Sequence, residues 1–197
     1  MKRLLSVILV LALGLSLTAC NQTSANQSSA SNPSGDSNIL IAYFSWSGNT
    51  QEMATYLAEQ TGGDLLEIQP ETPYPTDYQE CGDVALAERD NNDRPAIANL
   101  PTSLDGYDII LIGYPIWWHT APMIIGTFLE HYDLTGKEVY PFTQSASMDV
   151  EQFDNSIAFV RESAGAGAVH DGLFARPSDA QAIDAYLSEN HLVQEGA

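Results

Sequence analysis

The sequence predicts an α/β protein built as a doubly wound parallel sheet with helices on both faces, and three observations carry that prediction. Apolar, β-branched segments alternate with helical segments through residues 39–190, joined by short links. One of them, Tyr107-Asp-Ile-Ile-Leu-Ile-Gly-Tyr114, has an uninterrupted apolar centre, the mark of a strand covered on both faces. Another, Ile39-Leu-Ile-Ala-Tyr-Phe44, empties directly into a hydroxyl-rich turn, Ser45-Trp-Ser-Gly-Asn-Thr50.

Each element follows from local signals. After the first strand, Gly48 permits a tight turn, and Asn49 or Thr50 starts a helix carrying Met53, Tyr56 and Leu57. Gly62-Gly63 ends it, and Asp64 to Gln69 alternates as a short second strand. Pro70, Pro73 and Pro75 enforce an extended connection to a helix from about Gln79 to Asp90, whose apolar side reads as Val84, Leu86 and Ala87. Pro95 and Pro101 bound another loop before the central strand Tyr107–Tyr114. The loop Pro115–Thr120 leads to a helix over Ala121–Glu130 with Pro122 in its first turn. A fourth strand is expected at Lys137–Thr143, a helix at Val150–Glu162, a fifth strand at Ala168–Phe174 and a last helix at Ser178–Asn190.

The first 19 residues read as a processing signal: Lys2 and Arg3 lead, Leu4 to Leu17 form an apolar core, and small residues close it. That core is too short for a comfortable membrane span. Leu17-Thr18-Ala19-Cys20 resembles the lipobox of bacterial lipoproteins, which implies cleavage before Cys20 and a lipid on its sulfur. Residues 20–38 contain no large apolar side chain and are rich in Ser, Asn and Gln, the composition of a tether. Residues 39–197 are then one domain, expected to lie outside the cytoplasm, lipid-anchored to the bacterial membrane.

Charge and cysteine content exclude whole classes of function. Seven Lys and Arg against 26 Asp and Glu give a net charge of −19, which becomes −21 once Lys2 and Arg3 are removed. Nucleic acid is a poor partner for such a surface, and a protein partner should present a basic docking face. With Cys20 lipidated, Cys81 stands alone, so no paired-thiol mechanism operates. Cys81 is expected as a free thiol near the start of a helix, or as a link between two chains. No Cys/His or Asp/Glu cluster has metal-ligand spacing, and Ser45 lacks a recognisable His and acid for hydrolysis.

In open sheets of this kind ligands sit beyond the carboxyl ends of the strands. Three loops end there: Ser45–Thr50, Pro115–Thr120 and Gln144–Asp149. The first has backbone N–H groups and hydroxyls but no cation, which favours a monophosphate over a di- or triphosphate. The second offers two indoles and an imidazole. A phosphate cradle beside aromatic walls suits a flat heteroaromatic ring on a phosphorylated chain.

At these residues the chain resembles the flavodoxin-like family of FMN-binding proteins, in particular its subgroup with a Tyr-Pro-x-Trp-Trp loop. The resemblance rests on Tyr43–Thr50, Pro73-Tyr-Pro-Thr-Asp-Tyr78, Gly113-Tyr-Pro-Ile-Trp-Trp118 with Ala121-Pro122, Thr127-Phe-Leu-Glu130 and Gly136-Lys-x-Val-x-Pro-Phe142, and it spans residues 39–190. It implies a five-stranded parallel sheet of order 2-1-3-4-5 and non-covalent FMN. By that likeness Ser45, Ser47, Gly48, Asn49 and Thr50 hold the FMN phosphate, with Trp46 beside it. Pro115, Ile116, Trp117, Trp118 and His119 lie along the ribityl chain and the ring. Thr143, Gln144, Ser145 and Ser147 close the opposite side. His119 is a candidate proton donor.

One departure stands out: family members commonly have a glycine-rich third loop, whereas Gln144-Ser-Ala-Ser-Met-Asp149 has none. The resemblance implies an FMN-dependent electron carrier or oxidoreductase, whose partner is a redox protein or a quinone-like small molecule. The glycine-free loop leaves open a second reading, a flavin-free binding or scaffolding lipoprotein of the same fold.

Overall fold

Strand residues that alternate between two buried faces demand cover on both sides, and the computed structural model, which describes residues 38–193, provides it. The expected signal 1–19, Cys20 and all of the tether except Asn38 lie outside the described residues.

The elements run β1 (Ile39–Tyr43), α1 (Asn49–Thr61), β2 (Asp64–Glu67), α2 (Tyr78–Asn91), β3 (Ile109–Pro115), α3 (Met123–His131), β4 (Glu138–Gln144), α4 (Val150–Ser163), β5 (Ala168–Val169), β6 (Leu173–Phe174) and α5 (Ala180–Glu189). The sheet has the order β2-β1-β3-β4-β5, with β6 also paired to β4, and every pair is parallel. The expected order 2-1-3-4-5 is therefore present.

Two cores sandwich the sheet. Leu40, Ala42, Ile110 and Ile112 pack beneath α3 and α4 through Ile124, Phe128 and Val160. Ile39, Ile41 and Leu111 pack on the other face against Met53 and Leu57 of α1 and Ile183 and Leu187 of α5. Burying a side chain of this size stabilises the fold by ~1.5–3 kcal/mol. At the centre, Gly113 lies under the Phe142 ring so closely that a Cβ there would sit 2.1 Å from Phe142 Cζ.

Two expectations need correction. The expected fifth strand, Ala168–Phe174, is two pieces, because its pairing with β4 slips by one residue between Val139↔Val169 and Phe142↔Leu173. The cause is Pro141. The carbonyls of Val139 and Thr143 accept from His170 and Ala175, so the backbone of residue 141 also faces the outer strand, where proline has no N–H to give. The outer strand bulges at that point.

The buried side of α2 is Cys81 and Ala85, not Val84, Leu86 and Ala87: Val84 and Ala87 are exposed and Leu86 is half-buried. Its third inward residue, at helical spacing, is Glu88, whose carboxylate accepts from the Tyr74 hydroxyl at 2.8 Å. Cys81 is a free thiol buried in α2, and burial, reinforced by Glu88, pushes its pKa up.

Candidate functional site

The carboxyl ends of β1, β3 and β4 carry the three loops that the sequence singled out. At the first, Gly48 adopts φ 89°, a left-handed conformation suited to glycine, and its N–H donates to Ser45 Oγ at 3.2 Å. Helix α1 starts there without a side-chain cap. Helices α2, α4 and α5 instead close their N-termini with Asp77, Asp149 and Asp179. The first-turn N–H groups of α1, which no helical carbonyl can satisfy, thus stay open beside the exposed Ser47, Gly48 and Asn49. Thr50 is buried at the base of the turn. The Trp46 indole N–H donates to the Pro75 carbonyl at 2.9 Å, pinning the turn to the segment that precedes α2.

The second loop folds back on itself. Trp117 and Thr120 exchange backbone hydrogen bonds of 3.0 Å in each direction, around Trp118 at φ 45° and His119 at φ 67°. Two consecutive left-handed residues between such a pair make a type I′ turn, whose preferred occupants are Asn and Gly. Each non-glycine there costs on the order of 1–2 kcal/mol. Contacts outside the turn hold it in place. The Trp118 indole N–H donates to the Gly82 carbonyl at 2.7 Å, and Arg89 Nη1 donates to the Trp118 carbonyl at 3.1 Å while its guanidinium stands 5.8 Å from the indole centroid. Trp117 turns the other way, edge-on to Phe44 and Tyr74 with ring centroids 5.3 and 5.1 Å apart. One indole is thus anchored in the core while the other, with His119, is exposed. Burial drives the Tyr74 hydroxyl well above the ordinary phenol pKa, and Glu88 adds to the effect.

Pro115 and Ile116 follow the sheet edge, where the Ile116 N–H donates to the Gln144 carbonyl at 3.1 Å. In the third loop Thr143 is fully buried, and its hydroxyl donates to the Tyr114 carbonyl at 2.5 Å, so that hydroxyl is committed inside the sheet. Gln144 and Ser145 are buried, and Ser147 is the exposed member of the set. Although the loop has no glycine, it still makes a left-handed residue, Met148 at φ 52°, whose N–H donates to Ser145 Oγ at 3.0 Å. Arg176, just beyond β6, reaches the Ala146 carbonyl at 3.5 Å.

Between α2 and the Trp118 turn lies a cleft of about 300 Å³, which also involves Trp46 and, from the first turn of α4, Gln152. The sequence reading did not anticipate the α2 side of this wall, Cys81, Gly82 and Ala85. The signal available was the Pro73–Tyr78 motif, since Tyr78 lines the cleft as well. Among the described residues no group of His, Cys, Asp and Glu is arranged to hold a metal ion.

Residues 38–174 match the sequence profile of the Flavodoxin family. The chain belongs to the flavodoxin family. Solved structures of related proteins agree. This flavodoxin-family chain is 35% identical to a flavoprotein, so assigned, from Bacteroides eggerthii, covering 77% of this chain and 96% of that one with a TM-score of 0.68. It is 32% identical to another from Bacteroides uniformis, covering 76% and 97% with a TM-score of 0.69. A Lactobacillus acidophilus flavoprotein crystallised in complex with FMN is 28% identical, covering 75% and 97% with a TM-score of 0.64. Among curated proteins, none matches the chain.

Proposed function

We propose that this flavodoxin-family protein binds FMN non-covalently and works in electron transfer, as a carrier or an oxidoreductase. The observation that carries the proposal is the meeting, at one sheet edge, of the open N-terminus of α1 with the aromatic turn after β3. The donor set fits the cofactor. Hydroxyls and backbone N–H groups at Ser45, Ser47, Gly48, Asn49 and Thr50 suit a phosphate monoester, and Gly48 at φ 89° has open space where a Cβ would stand. The FMN-bound Lactobacillus acidophilus relative supports the same choice of ligand.

FMN, when bound, supplies the uptake and release of one or two electrons. The chain's own residues bind and orient it. Trp46 stands beside the phosphate turn; Pro115, Ile116, Trp117 and Trp118 border the ring; Gln144, Ser145 and Ser147 close the far side, with Thr143 supporting that loop from within the sheet. Exposed His119, held at the tip of its turn, is the candidate proton donor to the flavin at the mouth of the site.

The reading extends to location. Leu17–Cys20 and the tether support a protein anchored to the bacterial membrane through a lipid on Cys20, outside the cytoplasm, meeting a redox partner with a basic face or a quinone-like small molecule. Among the described residues no helix is long and apolar enough to cross a membrane.

An absorption spectrum of the purified protein after incubation with FMN and desalting tests the proposal. Flavin bands retained in stoichiometric amount are expected. A protein that emerges colourless would overturn the FMN reading in favour of a flavin-free binding lipoprotein.

A further inference from the structure

Positive charge is scarce in this chain, seven Lys and Arg against 26 Asp and Glu, and in the described residues nearly all of it is committed. Arg89 pairs with Asp90, Arg94 with Glu130 and Arg161 with Asp171. Lys137 sends its ammonium to the Leu104 and Tyr107 carbonyls at 3.0 and 2.6 Å. Arg176 is the exception. Among the described residues no carboxylate pairs with it, and its exposed guanidinium meets the Ala146 carbonyl at 3.5 Å.

The acidic side chains of the two loops that meet here are engaged elsewhere. Asp149 accepts from the Gln152 N–H and Asp179 from the Ala182 N–H, each capping a helix. The Arg176 carbonyl accepts from the Asp179 N–H at 3.0 Å, which fixes its backbone. A paired cation looks from a distance like a dipole, whereas Arg176 keeps the field of a full charge.

That charge stands at the ligand edge of the sheet. Arg176 follows β6, whose Phe174 pairs with Thr143 of β4, and the Ala175 N–H donates to the Thr143 carbonyl at 3.3 Å. It thus lies beyond the carboxyl ends of the strands, against the loop whose Gln144, Ser145 and Ser147 close the proposed flavin site. Strand order decides which part of the cofactor it faces. The path from β1 to β6 runs β1-β3-β4-β6, three strand spacings, so the phosphate turn begins about 14 Å away along the sheet edge. The loop that Arg176 meets is one of the two that border the ring.

We propose that Arg176 is the counter-charge for the reduced flavin ring. The inference rests on the FMN reading and goes beyond it by naming a residue that sets the redox balance of the site. Uptake of two electrons and one proton turns the neutral oxidised ring into a hydroquinone with one negative charge, so a fixed cation beside the third loop favours the reduced form over the oxidised one. The acidic residues of the domain act in the opposite direction. Arginine keeps its charge at any working pH, so the effect does not titrate away.

The test uses the full-length protein loaded with FMN, reduced without oxygen by dithionite as the electron source. Titration with oxidised FMN, combined with the midpoint potential read against a dye of known potential, gives the affinity ratio of the reduced and oxidised forms. Arg176→Gln should hold oxidised FMN within about twofold of wild type yet favour the reduced form at least ~3-fold less, seen as a lower potential. Arg176→Lys should keep most of the ratio. Arg161→Gln deletes a cation that is already paired, in the last turn of α4, and should leave the ratio unchanged.

Three results would overturn the proposal: an unchanged ratio in Arg176→Gln, equal weakening of both redox forms, which would make Arg176 a support for the Ala146 loop, or an equal shift in Arg161→Gln, which would make net charge the cause. Wild type that retains no FMN would overturn the cofactor reading and this inference with it, whereas retained FMN with an unmoved ratio would overturn this inference alone.

Discussion

The indole N–H of Trp118 and the carbonyl of Gly82 meet at 2.7 Å, tying the tip of the turn after β3 to the interior of α2. The bond offsets part of the cost of two consecutive non-glycine residues in left-handed backbone, and it fixes one wall of the cleft. The turn that borders the proposed flavin site is thus held from a helix that also meets the phosphate turn, where the Tyr78 ring lies 6.3 Å from that of Trp46.

Trp118→Phe keeps an aromatic ring and deletes the donor. A hydrogen bond of this kind contributes about 1 kcal/mol, and the freed turn should relax. Urea unfolding should show a loss of about 1 kcal/mol, and FMN affinity should fall. Equal stability and affinity would show that the indole N–H does not hold the turn.

Gly113→Ala should be among the most damaging single-methyl additions to this fold, because the new carbon would stand 2.1 Å from Phe142 Cζ in a fully buried pair. Overpacking of this severity costs roughly 3 kcal/mol or more. Phe142→Leu in the same chain should recover part of that loss, and a double-mutant cycle in denaturant measures the coupling.

Arg94 grips Glu130 with two nitrogens, at 2.9 and 2.7 Å, which holds the Glu130 carboxyl below its usual pKa and raises that of Arg94. A carboxyl depressed in the folded state stabilises the fold above its unfolded pKa of about 4.3, and this contribution is lost as pH falls through the lower folded value. Glu130→Gln should therefore be less stable than wild type at neutral pH, and the two curves should converge in acid. With the Glu130 side chain 42% exposed, the gap at pH 7 should stay under about 1 kcal/mol. Thermal melts of both proteins from pH 7 down to about pH 3 follow the convergence; a gap that persists unchanged in acid would show that the ion pair is not its source.

Much of the fold was legible because its signals are local and redundant. The apolar centre of β3 and the turn at Gly48 belong to short contiguous segments, and the sheet order followed from the family likeness. What was missed depends on neighbours in space. The bulge opposite Pro141 needs knowledge of which way that residue's missing N–H points, although a proline inside a strand is itself a warning. The buried face of α2 is thin, with one Cys, one Ala and a Glu held by Tyr74, and Val84 drew attention away from it. At the site, the lack of glycine in the third loop left a flavin-free reading open, yet the loop still makes a left-handed residue, Met148, supported by Ser145. The α2 side of the cleft was not legible from residues 78–85 because Gly82 and Ala85 carry meaning only once Trp118 lies across them.

The measurement that bears most directly on the central claim is the comparison of FMN with riboflavin by titration of the flavin-free protein. The two ligands share the ring and the ribityl chain and differ in the phosphate, so their affinity ratio isolates the cradle at Ser45–Thr50. The account predicts saturable binding of FMN, with riboflavin at least ~10-fold weaker, a difference of about 1.4 kcal/mol or more. Equal affinities would contradict the assignment of that turn to the phosphate, and binding of neither would contradict the account as a whole.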